Sequence, residues 1–287
     1  MTHLSDSALL VHLGVSQWSA RKLDKRASAI VAEAGVGSKG NFNKTLLPTC
    51  NELGLIHKET AEIRKTFYRN VLPWLMDGTF ILTSANYLPF TQEFRTAKDG
   101  WMRLVDRFID VFPQAELDAE RILNSGTHDL YESNDYPSVY DLRDKFQMNL
   151  TVLPVPSTGD WRVDIGDAAL ADAKDNIEKQ VAETAAVATK EVWTRLHDKV
   201  NWLHGRLADP KTTFHDETYH DAVDLVKMLS RLNFTNDPEL EALRMEAEQK
   251  LFACHPEALR NDPILRTDVA AEAKAISDKM AVFMGGL

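Results

Sequence analysis

Glu217 and His220 form the pair of residues in this chain whose spacing best fits a metal site. They lie three residues apart in FHDETYHDAV (214–223), and Glu-x-x-His is the step that helical carboxylate metal sites use. Asp221 follows Glu217 by one helical turn. Such sites combine two of these steps, and the sequence holds no second one. Polar residues at the start of a helix more often cap and solvate it, so we predict no bound metal and no other cofactor, with these three residues as weak candidates.

The stretch GVGSKGNFNKT (35–45) has the glycine spacing of a nucleotide-binding P-loop. A P-loop needs Lys and then Ser or Thr directly after the second of its two glycines. Asn41 stands where that lysine must be, and Lys44 and Thr45 come too late in the sequence. The pattern therefore predicts a basic, flexible loop instead of a phosphate-binding turn.

Sequence motifs of hydrolases and metalloproteases do not occur in the chain. Neither His-Glu-x-x-His nor Gly-x-Ser-x-Gly is present, and neither cysteine stands in a recognisable catalytic signature. A Ser-His-Asp triad is defined by its geometry in the folded protein, so the sequence alone leaves that arrangement open. The motifs favour a non-enzymatic protein over an enzyme.

Charge is unevenly distributed along the sequence. Residues 1–70 hold 10 Lys or Arg against 6 Asp or Glu, a balance of +4. Residues 71–150 hold 7 against 13 (−6) and residues 151–287 hold 16 against 24 (−8), which together give the net charge of −10. An acidic whole argues against indiscriminate nucleic-acid binding, but the basic first quarter leaves room for a local phosphate-binding face.

Two basic clusters and the loop between them form that predicted face. The first cluster fits one side of a helix expected over 19–35, and aromatic residues lie close to both clusters in the sequence. The predicted nucleic-acid-binding residues are Arg21, Lys22, Lys25, Arg26, Lys39, Lys44, Arg64, Lys65 and Arg69. Basic grooves with aromatic platforms hold single-stranded nucleic acid without reading its sequence. The alternative is a solvated helix face over core aromatics, which the acidic remainder of the chain favours.

The cysteines and the apolar segments indicate where the protein works. Cys50 and Cys254 are far apart and lack metal-ligand spacing, which indicates reduced thiols. The first residues lack the basic segment and the long apolar run of a signal peptide. No stretch approaches the ~18 apolar residues that a membrane span needs. We expect a soluble protein without membrane contact, in the cytoplasm of a bacterial host.

Hydrophobic periodicity predicts a mainly helical protein with a small antiparallel β element (α+β) and long helices in the C-terminal half. Residues 167–209 contain almost no helix breaker, and their apolar residues recur three, four or seven apart. Such a helix, roughly 60 Å long at 1.5 Å per residue, invites a long antiparallel partner or another subunit. Asp237-Pro238 and Asp262-Pro263 predict two later helix starts. Strands are expected at 9–16, 79–83, 149–155 and 161–165.

One non-helical island, DYPSVYDLRDKFQMNLTVLPVPSTGDWRVDI (135–165), interrupts the helices. Ser138 and Asp141 resemble a capping box at the start of a short helix, and two β-prone runs flank a turn. We predict three segments: an N-terminal helical lobe with short strands and the basic segment (1–134), a clasp of capped helix and β-hairpin (135–166), and a long-helix lobe (167–287). The edge of the hairpin is a hypothetical subunit contact.

The island also resembles a signature of an uncharacterised protein family from bacteriophages and integrative elements, a domain of unknown function. The phrases DYPSVYDLRDKF and PVPSTGDWRVDI carry the resemblance, together with QWSARK, LPWLMDGTFILTSANY, VWTRL and RLNFTNDPEL in the same order. It covers roughly residues 10 to 245 and leaves 246–287 outside. Such genes often lie near a MoxR-like AAA+ ATPase and, in some elements, near recombination genes. The resemblance therefore implies either a role in phage or mobile-element DNA biology or an ATPase assembly as a partner. It implies no activity and no catalytic residues.

Three functions are consistent with these features. The first is a non-enzymatic, oligomeric phage or mobile-element protein that acts through protein–protein interaction, as a partner of an AAA+ ATPase assembly. The second is a protein that binds or anneals single-stranded DNA through the basic first quarter. The third is a metal-dependent enzyme, which rests on Glu217 and His220. The sequence favours the first.

Overall fold

The computed structural model describes residues 4–33, 40–126, 129–157, 167–209, 211–212 and 214–285. It contains two compact units, each assembled from separate chain segments. Unit 1 comprises Met1–His12, Phe67–Gln92 and Thr151–Leu287, and unit 2 comprises Leu13–Thr66 and Glu93–Leu150. Most of the described residues are helical and the sheets are small, so the predicted α+β class with long C-terminal helices is confirmed. No helix within the described ranges is long and apolar enough to cross a membrane.

The helices and strands follow one another along the chain without a repeat. The helices are α1 (Leu4–Ser7), α2 (Lys25–Glu33), α3 (Asn51–Asn70), α4 (Ser84–Leu123), α5 (Val139–Asp144), α6 (Asp167–Ala208), α7 (Asp216–Leu232), α8 (Pro238–Lys250), α9 (Pro256–Asn261) and α10 (Pro263–Met284). The strands are β1 (Ala8–Ser16), β2 (Arg21–Leu23), β3 (Asn43–Thr45), β4 (Leu72–Pro73), β5 (Phe80–Thr83) and β6 (Gln147–Pro154).

Four of the strands form one sheet in the order β4-β5-β1-β6. Antiparallel pairing of β1 with β5 runs from Ala8 opposite Thr83 to Val11 opposite Phe80. Three of the predicted strands therefore exist, as β1, β5 and β6. The fourth predicted strand, at 161–165, lies outside the described residues.

The core of unit 1 forms along the second half of α6. Its buried residues recur every three or four positions, which is the period of one helix face: Ala188, Val192, Leu196, Val200, Leu203 and Leu207. Helix α10 packs antiparallel on this face, because His204 bonds the Ala270 carbonyl and Trp193 stacks on Phe283. From residue 170 to residue 183, in contrast, α6 has no buried side chain. The long helix thus obtains the antiparallel neighbour that its length predicts, over its C-terminal half.

Two arginines satisfy helix ends in unit 1. The last carbonyls of any helix lack intrahelical partners. At the end of α6, Arg266 donates to Leu207 O (Nε, 3.0 Å) and to three further carbonyls from Nη2, at 2.6–2.8 Å. At the end of α3, Arg195 donates to the carbonyls of Arg69 (3.0 Å) and Val71 (2.9 Å).

Helices α8 and α10 of unit 1 begin at the two Asp-Pro pairs, as predicted. The Asp237 carboxylate accepts the N–H groups of the second and third residues of α8, and Asp262 does the same for α10. Each aspartate is followed by proline at the first helical position, where its missing N–H costs nothing. A further short helix, α9, begins in the same manner after His255 with Pro256, beyond the helices that the sequence predicts.

Unit 2 has an aromatic core that is formed by α4 and by Phe146. Phe108 lies 5.9 Å from Phe112 and 5.7 Å from Phe146, measured between ring centroids, and both neighbours meet it edge-on. The Trp101 indole, which is fully buried, donates to Thr60 Oγ1 at 2.8 Å. The core aromatics of the amphipathic α4 thereby fix Phe146 and, with it, the end of the short helix α5.

Candidate functional site

The first basic cluster does not lie on one helix, although its spacing predicts one. Arg21–Leu23 is strand β2, paired antiparallel with β3, and α2 begins only at Lys25. The prediction of a helix over 19–35 is therefore wrong at its start. The reason is tertiary. Ala20 adopts a left-handed conformation (φ 48°) and its carbonyl accepts Leu46 N–H, which directs the chain into the antiparallel pair of β2 and β3, the β2–β3 hairpin.

The hairpin places two lysines opposite one another. Lys22 pairs in register with Lys44, and like charges across a strand pair repel each other. The Asp135 carboxylate, from the turn before α5, binds both ammonium groups; its Oδ2 lies 2.7 Å from Lys44 Nζ. Lys44 also lies 3.5 Å from Asp24 and donates to Leu130 O at 2.7 Å. The side chains of Lys44, Asp24 and Asp135 are 3%, 4% and 2% exposed, whereas Lys22 is half exposed. The network has balanced charge and is buried except at Lys22.

The carboxyl groups of this network are held ionised. Burial alone raises the pKa of Asp135, but the hydrogen bonds and charges of Lys22 and Lys44 outweigh it and hold that pKa below its ordinary value. The Ala27 N–H lowers the pKa of Asp24, with the charge of Lys44 adding to it against burial. The same Ala27 bond (2.9 Å) makes Asp24 the N-cap of α2.

A cleft of about 260 Å³ opens beside this network. It is lined by Lys22, Leu23, Asp24, Lys25, Arg26, Lys44, Glu132 and Asp135. Arg26 is ion-paired with Glu132 on its rim. Because three of the four basic side chains already have carboxylate partners, the cleft offers little free positive charge to an anion.

The other predicted nucleic-acid-binding residues lie elsewhere. Lys39 is outside the described residues. Arg64 and Lys65 are exposed on α3 in unit 2, and Arg69 is partly buried in unit 1. The structure therefore brings together Lys22, Arg26 and Lys44, but as members of ion pairs. Arg21, Lys25 and Arg64 are exposed and have no ion pair within the described part of the chain.

The island residues of unit 2 bind to the same hairpin. Tyr136, next to Asp135, donates its hydroxyl to Leu46 O at 2.7 Å, and burial raises its pKa. Ser138 accepts the Asp141 N–H at 3.2 Å, so the predicted cap of α5 is confirmed. Arg143 pairs with Asp106 of α4 at 2.7 Å. Residues 135–146 therefore serve as an internal tie within unit 2.

A second cleft in unit 2, of about 350 Å³, contains a thiol and an imidazole. Burial raises the pKa of Cys50, although the N–H groups at the start of α3 lower it in part. A thiol with a raised pKa is a poor nucleophile at neutral pH. The His57 Nε2 lies 3.0 Å from Trp18 O, so this nitrogen donates to the carbonyl. The two side chains are thus held as structural groups without mutual activation.

The weak metal candidates do not form a site. Glu217, His220 and Asp221 are exposed in the first turns of α7. Across the described residues, no group of three or more His, Cys, Asp or Glu side chains is placed to hold a metal ion. Asp216, which precedes them, pairs with Arg260 at 2.6 Å. The polar start of α7 is therefore a solvated, ion-paired helix end.

A serine and a histidine meet in unit 1, between α6 and α10. Ser277 Oγ lies 3.2 Å from His197 Nε2 and 2.7 Å from Asn201 Oδ1. The Asn201 oxygen can only accept, so the Ser277 hydroxyl donates its proton there and not to the imidazole. A nucleophilic serine needs the opposite arrangement. The cluster is a polar link between packed helices.

Helix α2 packs only weakly on the rest of unit 2. It has no buried side chain, and Ile30 and Val31 are 42% and 38% exposed. It is attached through Ser28, which donates to Asp24 O (2.6 Å) and accepts Phe42 N–H (2.9 Å). The exposed Ile30 and Val31, on a helix that is carried by a fixed hairpin, offer an apolar surface for contact with another molecule.

Sequence reasoning missed the acidic half of the hairpin network. Asp24, Glu132 and Asp135 neutralise the basic cluster, and two of them lie about a hundred residues along the chain from it. The one local signal is the position of Asp24 three residues before Ala27, which is the spacing of an N-cap. No local pattern links Asp135 to Lys22 and Lys44, because the contact depends on the path of α3 and α4.

Comparisons with protein-family models, with curated proteins and with solved structures found no match to this chain.

Proposed function

We propose that this protein acts by binding other protein molecules, as a non-enzymatic, oligomeric phage or mobile-element protein in the cytoplasm of a bacterial host. The observation that supports this proposal is helix α2, whose nine residues bury no side chain and leave Ile30 and Val31 exposed. Isolated helices shorter than about 12–15 residues are marginal in water, and helices in proteins are stabilised mainly by packing of an apolar face. A protein partner on α2 would provide that packing.

The resemblance to phage and integrative-element proteins supports an AAA+ ATPase assembly as one such partner. The hairpin that carries α2 supports a binding role, because the buried ion pairs of Lys44 fix its orientation. A surface held in place before binding loses less conformational entropy when the partner docks.

Replacing Ile30 with Asp is expected to weaken binding to a protein partner at least about tenfold, because a charge replaces an apolar contact. The measurements are sedimentation of the purified protein at up to about 500 µM and co-purification with a MoxR-like AAA+ ATPase expressed in the same cells. Ile122→Asp is the matched control, since Ile122 is 41% exposed on α4, close to the 42% of Ile30. The control variant should change neither the dimer dissociation constant from sedimentation nor the amount of co-purified ATPase by more than about twofold. A wild-type protein that stays monomeric and retains no ATPase would refute the proposal.

A second candidate function is single-stranded DNA binding, favoured by the exposed Arg21, Lys25 and Arg64. The expected result is binding of a fluorescent oligonucleotide that weakens steeply with salt, as phosphate contacts release counterions. Lys25→Glu combined with Arg64→Glu should reduce this binding at low salt, whereas Lys145→Glu, an exposed charge reversal elsewhere in unit 2, should not. Absence of binding by the wild type at low salt would exclude this candidate.

A further inference from the structure

We infer that the partner of α2 is α2 of a second copy of this chain, packed antiparallel about a two-fold axis. This inference rests on the proposed function and names the molecule that covers the exposed helix. One side of α2 faces away from the β2–β3 hairpin. Ser28 is turned to the hairpin by its bonds to Asp24 O and Phe42 N. At 3.6 residues per turn, Arg26, Ile30 and Glu33 branch from the opposite side of the helix, with Ala29 beside them. The long Arg26 side chain reaches from there to Glu132 at the rim of the cleft.

The charges of α2 are placed against its helix dipole. Lys25 and Arg26 stand in the first turn, which contains no acidic residue, and Glu33 stands in the last turn, which contains no basic one. A helix N-terminus favours negative charge, which here comes only from the Asp24 cap, and a C-terminus favours positive charge. Lys25, Arg26 and Glu33 therefore each stand at the unfavourable end of the helix. An antiparallel second copy reverses the effect, because each basic first turn then meets the negative C-terminal end of the other helix.

The outward face is complementary to itself in this arrangement. In an antiparallel pair, three residues back along one helix correspond to three residues forward along the other. When Ala29 of one copy lies opposite Ile30 of the other, Arg26 therefore lies opposite Glu33. The two-fold axis repeats each contact, so one packing yields two Arg26–Glu33 ion pairs and two small-to-large contacts. A parallel pair would instead place Arg26 beside Arg26.

Arg26 can join the second ion pair without leaving its present one. Its side chain is 64% exposed, and it binds Glu132 through Nη2. A guanidinium group carries five N–H donors, so further donors remain for the carboxylate of a second copy. The contact area of two nine-residue helices falls below the roughly 1,200 Å² of stable interfaces, so we expect a weak dimer with a dissociation constant between about 10 and 500 µM.

Charge exchange across the proposed axis tests the inference. Arg26→Glu makes the outward face acidic, Glu33→Arg makes it basic, and each change alone should raise the dimer dissociation constant at least about tenfold in sedimentation equilibrium. An equimolar mixture of the two variants should dimerise again, since every charge then faces its opposite, and so should the double variant. Glu132→Gln is the control for loss of the internal Arg26 pair and should leave the constant within about twofold.

Each other outcome counts against the second copy. If the mixture and the double variant fail to dimerise while the wild type does, the antiparallel α2 packing is wrong. If the wild type stays monomeric at about 500 µM but loses the ATPase with Ile30→Asp, the proposed function stands and this inference is overturned. If Glu33→Arg instead strengthens binding of an oligonucleotide by a monomeric protein, α2 faces an anionic partner and the inference is likewise overturned.

Discussion

Replacing Arg266 with Ala is expected to lower the free energy of unfolding by about 3–5 kcal/mol, because four carbonyls at one helix end lose a charged donor together. Arg266 is 9% exposed, and its guanidinium binds four carbonyls, those of Arg206, Leu207, Asp209 and Thr212, at the end of α6. Alanine removes the donor of one buried and three partly buried hydrogen bonds, and an unsatisfied buried acceptor costs about 1–3 kcal/mol. It also removes a positive charge from the negative end of a 42-residue helix.

Urea unfolding followed by circular dichroism measures this effect. Arg206→Ala is the matched control, because Arg206 lies in the same last turn of α6 but is exposed, and its loss should cost less than about 1 kcal/mol. Arg266→Lys should fall between the two, since an ammonium keeps the charge but lacks the planar fork that reaches several carbonyls. Equal stability of the wild type and the Arg266→Ala variant would show that water replaces the guanidinium at this helix end.

Replacing Asp135 with Asn is expected to destabilise the protein by about 3 kcal/mol, as found when one partner of a buried ion pair is removed. The Asp135 side chain is 2% exposed and lies between Lys22 and Lys44, which face each other across the hairpin. With an amide in its place, the two ammonium groups repel each other and Lys44 keeps only Asp24 as a charged partner. Asp106→Asn is the control, because the Arg143–Asp106 pair is about half exposed and such pairs contribute about 0–1 kcal/mol.

This effect should depend on pH in a defined direction. The pKa of Asp135 is lower in the folded than in the unfolded protein, so the unfolded chain binds more protons as acid is added. The stabilisation is therefore fully present above the unfolded pKa of about 4 and is lost as pH falls through the folded value. The difference between wild type and Asp135→Asn should narrow below about pH 4 and stay constant between about pH 6 and 8. A constant difference down to about pH 3 would contradict the assignment of Asp135 as the ionised centre of the network.

Local signals in the sequence predicted several elements well. The length of α6 follows from a run without helix breakers, and the starts of α8 and α10 follow from Asp237-Pro238 and Asp262-Pro263. The cap of α5 at Ser138 follows from a hydroxyl three residues before Asp141. These features depend on residues within one or two helical turns of one another, so the sequence contains the whole interaction.

The basic cluster shows where local reasoning fails. Spacing alone placed Arg21, Lys22, Lys25 and Arg26 on one helix, whereas the chain forms strand β2, a break at Asp24 and then α2. Short strands have little intrinsic preference of their own, and β2 exists because it pairs with β3, on the far side of α2 in the sequence. Three residues of the predicted phosphate-binding face, Lys22, Arg26 and Lys44, are instead members of internal ion pairs.

The sequence by itself determined the helical class, the long helix, the helix caps and the uneven charge, because these are properties of near neighbours and of composition. Only the tertiary structure decided which charges are available to a partner. Ion pairing acts over a few ångströms in space, and Asp135 meets Lys22 and Lys44 only in the folded unit 2. There, the Trp101 indole of α4 bonds Thr60 of α3, and Phe108 packs on Phe146. The same packing leaves α2 outside the core of unit 2, which makes its apolar and charged face the surface on which a partner can bind.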